Sequence, residues 1–227
     1  MWAGATLVVG VRSDYQEEVD MYLFARRRSI NPARATAAVG MALEAATRAK
    51  EITGLATWVW NPVLSPDIGT VAWTARVEHL SELEAASDKL IGSSDFSEWI
   101  EQNDSLFLGP IEDSVLQVLH GTPSDQPAPY VQVVRALCAH GAISEAMSFG
   151  VEIAEVGSRL TGLQTMFGAT VTGGYGGVGW LTGVPDLDAV EAANVALMAD
   201  DEWRKLVDRA GHAFQPGVTT SLLRRLN

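Results

Sequence analysis

Residues 54–119 read GLATWVWNPVLSPDIGTVAWTARVEHLSELEAASDKLIGSSDFSEWIEQNDSLFLGPIEDSVLQVL, and residues 162–226 read GLQTMFGATVTGGYGGVGWLTGVPDLDAVEAANVALMADDEWRKLVDRAGHAFQPGVTTSLLRRL. With one residue dropped in the loop before Trp180, the two stretches align to their ends and pair Trp73 with Trp180. The sequence therefore predicts an internal duplication. The matched positions are mainly those that a fold needs, so the duplication predicts architecture rather than chemistry.

An apolar strand and a long helix are predicted before each copy. The predicted strands are residues 6–11 and 131–137, and both helices end at a Thr-Gly pair, where glycine suits the left-handed position. Within each copy the pattern predicts a hairpin, a second helix that begins with a capping box at Ser81 or Asp188, a short third helix and a last strand. Each half is thus predicted to be a βαββαβ unit of the ferredoxin-like kind. The predicted fold class is α+β, with two tandem ferredoxin-like repeats whose antiparallel sheets pack together as an α/β barrel.

The expected domains are residues 1–120, a Pro-rich linker at 121–129, and residues 130–227. The first repeat also contains an insertion at residues 13–30, with acidic residues near its start and three arginines at 26–28. That charge order favours a helix dipole, so the insertion is predicted to be a helix, either packed as structure or lying over a pocket as a lid. The arginines are interpreted as a solvated helix end.

Composition limits the class of protein. The chain has 227 residues, 47% of them hydrophobic, and a formal charge of −12. This charge argues against a nucleic-acid partner, which would need Lys and Arg to displace counterions. No apolar run has the length of a membrane span, and the N-terminus lacks the basic region of a signal peptide. The one cysteine, Cys138, excludes an intrachain disulfide framework. We therefore expect a cytoplasmic protein without a membrane partner, for which a homodimer is a possible assembly.

One stretch carries a resemblance to a known family. Residues 180–207, WLTGVPDLDAVEAANVALMADDEWRKLV, combine an aromatic-ended strand, a helix with a hydrophobic start, and an acidic turn with a buried aromatic residue. This run resembles the dimeric α/β-barrel superfamily, in particular its NIPSNAP-like and antibiotic-biosynthesis-monooxygenase-like branches, here as a tandem fusion. The resemblance covers most of both halves. The superfamily includes cofactor-independent oxygenases on polyketide-type substrates, isomerases, cyclases, haem enzymes and members with no known activity, so the fold alone does not choose among them.

The resemblance implies a small-molecule enzyme that acts on an apolar aromatic or polyketide-like compound. The expected partner is a hydrophobic small molecule, and the expected type is a cofactor-independent monooxygenase, cyclase or isomerase, without a bound metal or other cofactor. The alternative is a non-catalytic barrel that binds a hydrophobic ligand or serves as an assembly module.

Motifs for bound cofactors are weak. Residues 174–179 satisfy G-x-G-x-x-G, but a strand follows them, whereas a dinucleotide site needs a helix there. The four histidines have no close metal-ligand spacing, so no metal site is predicted. Some barrel relatives bind haem through a histidine, and His140 is the candidate for that role.

The tryptophans distinguish the two halves. Strand alternation places Trp58 and Trp60 on one face, and the aligned residues of the second half are Met166 and Gly168. Together with Trp73 these side chains either fill a core or wall a pocket in the first half.

Arg135 shares a strand face with Val133 and Leu137, so its guanidinium is directed toward an apolar layer, where an unpaired charge is costly. It is either paired with a carboxylate or at an exposed edge, or it holds an anionic or enolate-like ligand. The candidate catalytic residues are Arg135, His79 and His140. The candidate substrate-binding residues are Trp58, Trp60, Trp73, Tyr22, Arg12 and Arg76.

Overall fold

The computed structural model describes residues 21–227, and its element order is the same in both halves. The first half contains β1 (Met21–Ile30), α1 (Ala35–Thr53), β2 (Thr57–Pro62), β3 (Thr70–Val77), α2 (Leu80–Ile91), α3 (Ser94–Asn103) and β4 (Phe107–His120). The second half contains β5 (Tyr130–Leu137), α4 (Ile143–Thr161), β6 (Thr165–Thr172), β7 (Gly177–Val184), α5 (Leu187–Ala199), α6 (Asp201–Ala210) and β8 (Thr219–Arg225).

The eight strands form one closed antiparallel barrel in the order β1-β3-β2-β8-β5-β7-β6-β4. Each half contributes four neighbouring strands in the ferredoxin-like order, β4-β1-β3-β2 and β8-β5-β7-β6. The halves join through the β2–β8 and β4–β6 pairs, so the barrel has no unpaired edge. The predicted α+β barrel is confirmed.

The prediction of a helix at residues 13–30 is wrong for residues 21–30, which form strand β1. This strand pairs along its length with β3 and β4 and is the equivalent of β5. Arginines occupy both of its faces, so its sequence lacks the alternation of polar and apolar residues that is typical of a strand. Three consecutive basic residues are also common at the C-terminal end of a helix, which explains the wrong prediction. Cross-strand carboxylates compensate these arginines, with Asp113 bonded to Arg26 and Glu112 to Arg27. The strand predicted at residues 6–11 lies outside the described residues.

Helices cover the outside of the barrel and bury one face of the sheet. In the first half α1 packs its alanines against Val59, Val71 and Trp73, and in the second half α4 packs against Phe167 and Trp180. Each tryptophan indole also bonds a carbonyl of its helix: Trp73 Nε1 donates to the Ala42 oxygen at 2.9 Å, and Trp180 Nε1 donates to the Gly150 oxygen at 2.8 Å. The aligned tryptophans therefore fix equivalent helices on equivalent sheets.

The other face of each strand points into the barrel lumen. Directly opposed residues of an antiparallel pair share a face, so the register assigns every strand residue to the helix layer or to the lumen. In the first half Arg27 of β1 lies opposite Ala72 of β3, one residue from Trp73. In the second half Arg135 of β5 lies opposite Gly179 of β7, one residue from Trp180. Because Trp73 and Trp180 face the helices, both arginines face the lumen.

The second helix of each half begins slightly earlier than the sequence predicts. Helix α2 begins at Leu80 after His79, whose backbone N–H donates to Glu82 Oε1 at 2.8 Å. Helix α5 is capped by Asp186, whose Oδ1 accepts from the Ala189 N–H at 2.8 Å. The predicted caps, Ser81 and Asp188, are thus wrong, because each lies in the first turn of its helix, two residues after the observed cap.

Residues 121–129 pass from β4 to β5 across the barrel end at which β5 begins. Arg76 on β3 pairs there with Asp125 at 2.6 Å and donates to the Pro123 oxygen, and Arg225 on β8 donates to the Pro127 oxygen. These contacts tie the connecting segment to lumen-facing arginines at that end. Over residues 21–227, none of the helices is both long enough and apolar enough to cross a membrane.

Candidate functional site

The opposite end of the lumen, where β1 and β5 finish, contains two arginines in equivalent positions of the two halves. Arg27 and Arg135 both face the lumen. Their cross-strand neighbours, Ala72 and Gly179, are each next to a tryptophan that faces the helices, and adjacent strand residues point to opposite faces. Strands β1 and β5 run in the same direction around the barrel, so both guanidinium groups reach the same end.

One carboxylate joins the two arginines. Asp67 belongs to the hairpin between β2 and β3, and its Oδ1 accepts from Arg27 Nη1 at 3.2 Å. Its Oδ2 accepts from the Ser221 hydroxyl at 2.6 Å and lies 3.5 Å from Arg135 Nη1. Arg135 Nη1 also donates to Ser221 Oγ at 3.3 Å. Glu112 on β4 completes the cluster by accepting from Arg27 Nε at 3.0 Å. We call these five residues the arginine mouth.

The two arginines differ in how well they are neutralised. Arg27 contacts two carboxylates, Asp67 and Glu112, whereas among the described residues Asp67 is the carboxylate that pairs with Arg135. Burial lowers the pKa of the Arg135 guanidinium below its ordinary value, Asp67 opposes that shift, and the Arg27 charge adds to it. The guanidinium remains charged, since arginine is not deprotonated in proteins. The Arg135 side chain nevertheless keeps 47% of its surface exposed, so it can contact a ligand.

A polar cleft of about 200 Å³ opens beside the arginine mouth. Its lining includes Arg27, Ser29, Asp67, Thr70 and Glu112. Asp67 is held there by its own turn, because its carbonyl accepts from the Thr70 N–H at 3.2 Å and from the Thr70 hydroxyl at 2.8 Å. The cleft has space for a small polar group next to the charged cluster.

The tryptophans divide between the two faces of the sheet. Trp58 and Trp60 lie on the lumen face of β2, as the alternation predicts, while Trp73 packs in the helix layer, 6.0 Å from the Phe107 ring. Trp60 is 4% exposed, and its Nε1 donates to the Thr74 hydroxyl at 2.8 Å. Trp58 is half-buried, with the Arg225 guanidinium 5.4 Å from its ring centre. The structure thus brings Trp58 and Trp60 together and separates Trp73 from them.

The remaining candidates lie away from the arginine mouth. His79 is exposed at the start of α2, and Arg76 is at the other end of the lumen, bound to Asp125. Tyr22 is half-buried on β1 opposite Val77, a residue of the helix face. Arg12 lies outside the described residues.

His140 is exposed in the turn between β5 and α4. An exposed imidazole does not fit the enclosed site that a haem group needs, so no role for haem is assigned to it. Within residues 21–227 no group of three or more His, Cys, Asp or Glu side chains is arranged to hold a metal ion.

Sequence reasoning found Arg135 but missed Arg27, Asp67, Glu112 and Ser221. One signal was available for Arg27. When residues 21–30 are recognised as a strand, the alignment of MYLFARRRSI with YVQVVRAL matches Arg27 with Arg135 in sequence. The other three residues had no local signal, because their partners are distant in the chain. Ser221 is 154 residues from Asp67, and Glu112 is 85 residues from Arg27.

No family model matches the sequence, and no curated protein matches it. Solved structures do match. A candidate monooxygenase of Fusobacterium nucleatum superposes with a TM-score of 0.68 at 8% identity, covering 92% of this chain and 94% of the other. An anthrone oxidase-like protein gives a TM-score of 0.66 at 14% identity, with 93% of each chain covered.

A candidate monooxygenase of Lactobacillus acidophilus gives a TM-score of 0.63 at 8% identity over 91% of this chain and 94% of its own. At such identities the likeness concerns the fold, and it extends over nearly the whole length of every chain compared. The chain therefore shares the α/β-barrel fold of these proteins, with all eight strands of its barrel supplied by one chain.

Proposed function

We propose that this protein is a small-molecule enzyme of the cofactor-independent oxygenase type, and that its substrate is an aromatic or polyketide-like ketone bound at the arginine mouth. The observation that carries the proposal is Arg135, a lumen-facing guanidinium that is half exposed and has one carboxylate partner at 3.5 Å. A cation in this position can stabilise negative charge that develops on a substrate oxygen.

The chemistry requires little from the protein. A CH₂ group conjugated with a carbonyl, either directly or through an aromatic ring as in anthrone, loses a proton to solvent water and gives an enolate, whose oxygen is the atom that Arg135 would contact. Reaction with O₂ replaces the two hydrogens of the CH₂ by one oxygen atom, and the second oxygen leaves with those hydrogens as water. The substrate supplies the electrons and O₂ is the oxidant, so the balance needs no further reductant. The protein contributes position and charge, which are the main terms in such catalysis.

The structural neighbours support this reaction class without assigning it. Two are candidate monooxygenases and one is anthrone oxidase-like, and all three cover more than nine-tenths of this chain.

Anthrone is the substrate to test, because its oxidation by O₂ gives anthraquinone and can be followed by absorbance. Arg135→Gln should lower the rate at least about tenfold, since it removes the positive charge that would stabilise the developing oxyanion. Arg26→Gln is the matched control, because Arg26 is 43% exposed and paired with Asp113 on the outer face of the barrel. Conversion by the wild type at the buffer rate would contradict the oxygenase proposal. If the Arg135→Gln variant oxidised anthrone as fast as the wild type, Arg135 would have no part in the reaction.

A non-catalytic role is the second candidate, and two observations favour it. Trp60 already fills part of the lumen and has its indole N–H bonded to Thr74. Helix α5 buries none of its residues and exposes 65% of Val195 and 63% of Met198, a surface suited to assembly, including a homodimer. Chromatography with light scattering tests this: a Val195→Glu variant should change the mass if α5 is an interface.

A further inference from the structure

The carboxylate of Asp67 occupies a site that the rest of the barrel builds in duplicate. Arg27 and Arg135 are equivalent residues of the two halves, but the hairpin that corresponds to the Asp67 hairpin, residues 173–176, reads GGYG and contains no carboxylate. Among the described residues Asp67 is therefore the one carboxylate that contacts both arginines, whereas Glu112 contacts Arg27 alone. The hairpin carboxylate is particular to the first half, whereas the arginines are common to both halves.

The groups around Asp67 are those of a carboxylate receptor. Arg27 and the Ser221 hydroxyl donate hydrogen bonds to its two oxygens, and the Arg135 guanidinium lies 3.5 Å from one of them. Ser221 is 2% exposed, so its hydroxyl is fixed in the wall of the barrel rather than solvated. Arginine and hydroxyl donors of this kind recognise carboxylates through charge-assisted hydrogen bonds.

Asp67 satisfies this receptor incompletely. It lies 2.6 Å from Ser221 and 3.2 Å from Arg27, but 3.5 Å from Arg135, which is longer than a normal hydrogen bond. The Arg135 side chain keeps 47% exposure and has no second carboxylate among the described residues. A second anion, or one placed more centrally, would be bound more strongly by Arg135 than Asp67 is.

The segment that carries Asp67 has little apolar anchoring. On either side of it, Leu64 is 84% exposed and Ile68 is 72% exposed, so neither side chain packs into the core. Backbone bonds hold the ends of the hairpin, from Val63 N–H to the Leu222 oxygen and from Ile30 N–H to the Gly69 oxygen, both at 2.8 Å. Between these anchors the hairpin is held by turn bonds, from Ile68 N–H to the Ser65 oxygen and from Thr70 to the Asp67 carbonyl, and by the charged contacts of the Asp67 side chain. A competing anion would replace only the contacts of that side chain.

We propose that Asp67 is an internal occupant of a carboxylate-binding site, and that a substrate carboxylate displaces it to bind Arg27, Arg135 and Ser221. This deepens the proposed function, on which it rests for the place of the substrate, by assigning an acidic group to that substrate. The hairpin of residues 63–69 then acts as a latch that the correct ligand opens.

The test compares binding of 2-naphthoate with binding of 2-naphthamide, which has the same ring and no charge, by calorimetry at constant ionic strength. Asp67→Ala removes the internal competitor and should lower the Kd for 2-naphthoate about tenfold or more, with the Kd for 2-naphthamide unchanged. Asp113→Ala is the matched control, because it removes the partner of Arg26 on the outer face and should change neither Kd. Adding Arg135→Gln to the Asp67 variant should abolish the gain.

Equal affinity of the Asp67→Ala variant for the two probes would overturn the inference, as would a gain that persists without Arg135. Should this variant fail to fold, as judged by circular dichroism, Asp67→Asn removes the charge at nearly constant shape, and the same two outcomes apply. Naphthoate selectivity without any anthrone oxidation would leave the site standing and contradict the proposed enzyme. Anthrone oxidation that depends on Arg135, without naphthoate selectivity, would support the proposed enzyme and contradict the carboxylate-binding site.

Discussion

The two halves fill one equivalent contact between helix and sheet with different residue pairs, and this difference can be tested. In the first half Ala42 of α1 and Val59 of β2 belong to one buried core cluster, and in the second half the aligned Gly150 of α4 packs directly against the ring of the aligned Phe167 of β6. The smaller helix residue, Gly150, is paired with the larger strand residue, Phe167, so the combined side-chain volume fills the core in both halves. The prediction is that Gly150→Ala, taken alone, destabilises the protein although alanine favours a helix.

The magnitude follows from the geometry. A methyl group at Gly150 would lie 2.0 Å from Phe167 Cζ, against an ordinary contact of 3.4 Å or more, so the ring would have to move by about 1.4 Å. Phe167 is 0% exposed, which leaves it no free space. Overpacking of this kind costs about 1–3 kcal/mol, with the upper part expected for a whole ring. The gain in helix propensity from glycine to alanine offsets about 1 kcal/mol, so the net loss should be about 2 kcal/mol.

Gly40→Ala is the control, since Gly40 lies within α1 and a methyl group there would meet nothing within 4 Å. It should stabilise the protein by about 0.5–1 kcal/mol. In a Phe167→Val background, Gly150→Ala reproduces the residue pair of the first half and should become neutral or stabilising. That reversal corresponds to a coupling energy of about 2–3 kcal/mol.

Urea unfolding followed by circular dichroism at 222 nm measures all four proteins of this cycle and the Gly40 control, with the m-values compared to check that the unfolded state is the same. Two results would refute the reasoning. One is a Gly150→Ala protein as stable as the Gly40→Ala protein. The other is the same cost of Gly150→Ala with phenylalanine and with valine at position 167.

Further predictions concern a cap, a thiol and a tryptophan. Asp186→Ala should lose about 0.5–2 kcal/mol of stability in urea, because it removes the bond to the Ala189 N–H, whereas Asp188→Ala should lose less than half of that. Cys138 is 4% exposed, and burial raises the pKa of its thiol, so a disulfide reagent such as Ellman's should react quickly only after unfolding; fast reaction of the native protein would contradict this. Trp60→Ala should cost about 3–5 kcal/mol, since the indole is 4% exposed; a smaller loss together with weakened anthrone binding would assign Trp60 to a pocket instead.

The elements that the sequence predicts well are those with an uninterrupted local period. Helices α1 and α4, both hairpins and strand β5 show apolar spacing that belongs to one kind of element, and the structure contains each of them. Strand β1 fails this test, because Arg26, Arg27 and Arg28 charge both of its faces. Only partners on β4 and in distant turns neutralise them, and a local pattern does not contain those partners.

For the site, the sequence determined one side chain and its direction. Strand alternation puts Arg135 on the face of Val133 and Leu137, and the register of β5 agrees. Its partners could not be predicted in this way. Asp67 comes from a hairpin in the other half, and nothing in the spacing of these residues along the chain indicates that they meet.

From α1 onward the sequence alone thus determined the order of elements, the repetition of that order, and the face on which each periodic residue lies, because period and turn chemistry act between residues close in the chain. The tertiary structure decided which strands close the barrel, that Arg27 and Arg135 reach the same end of the lumen, and that one carboxylate lies between them. The physical reason is that closure pairs β2 with β8 and β4 with β6, and only this pairing brings charges from separate halves within a few ångströms of each other.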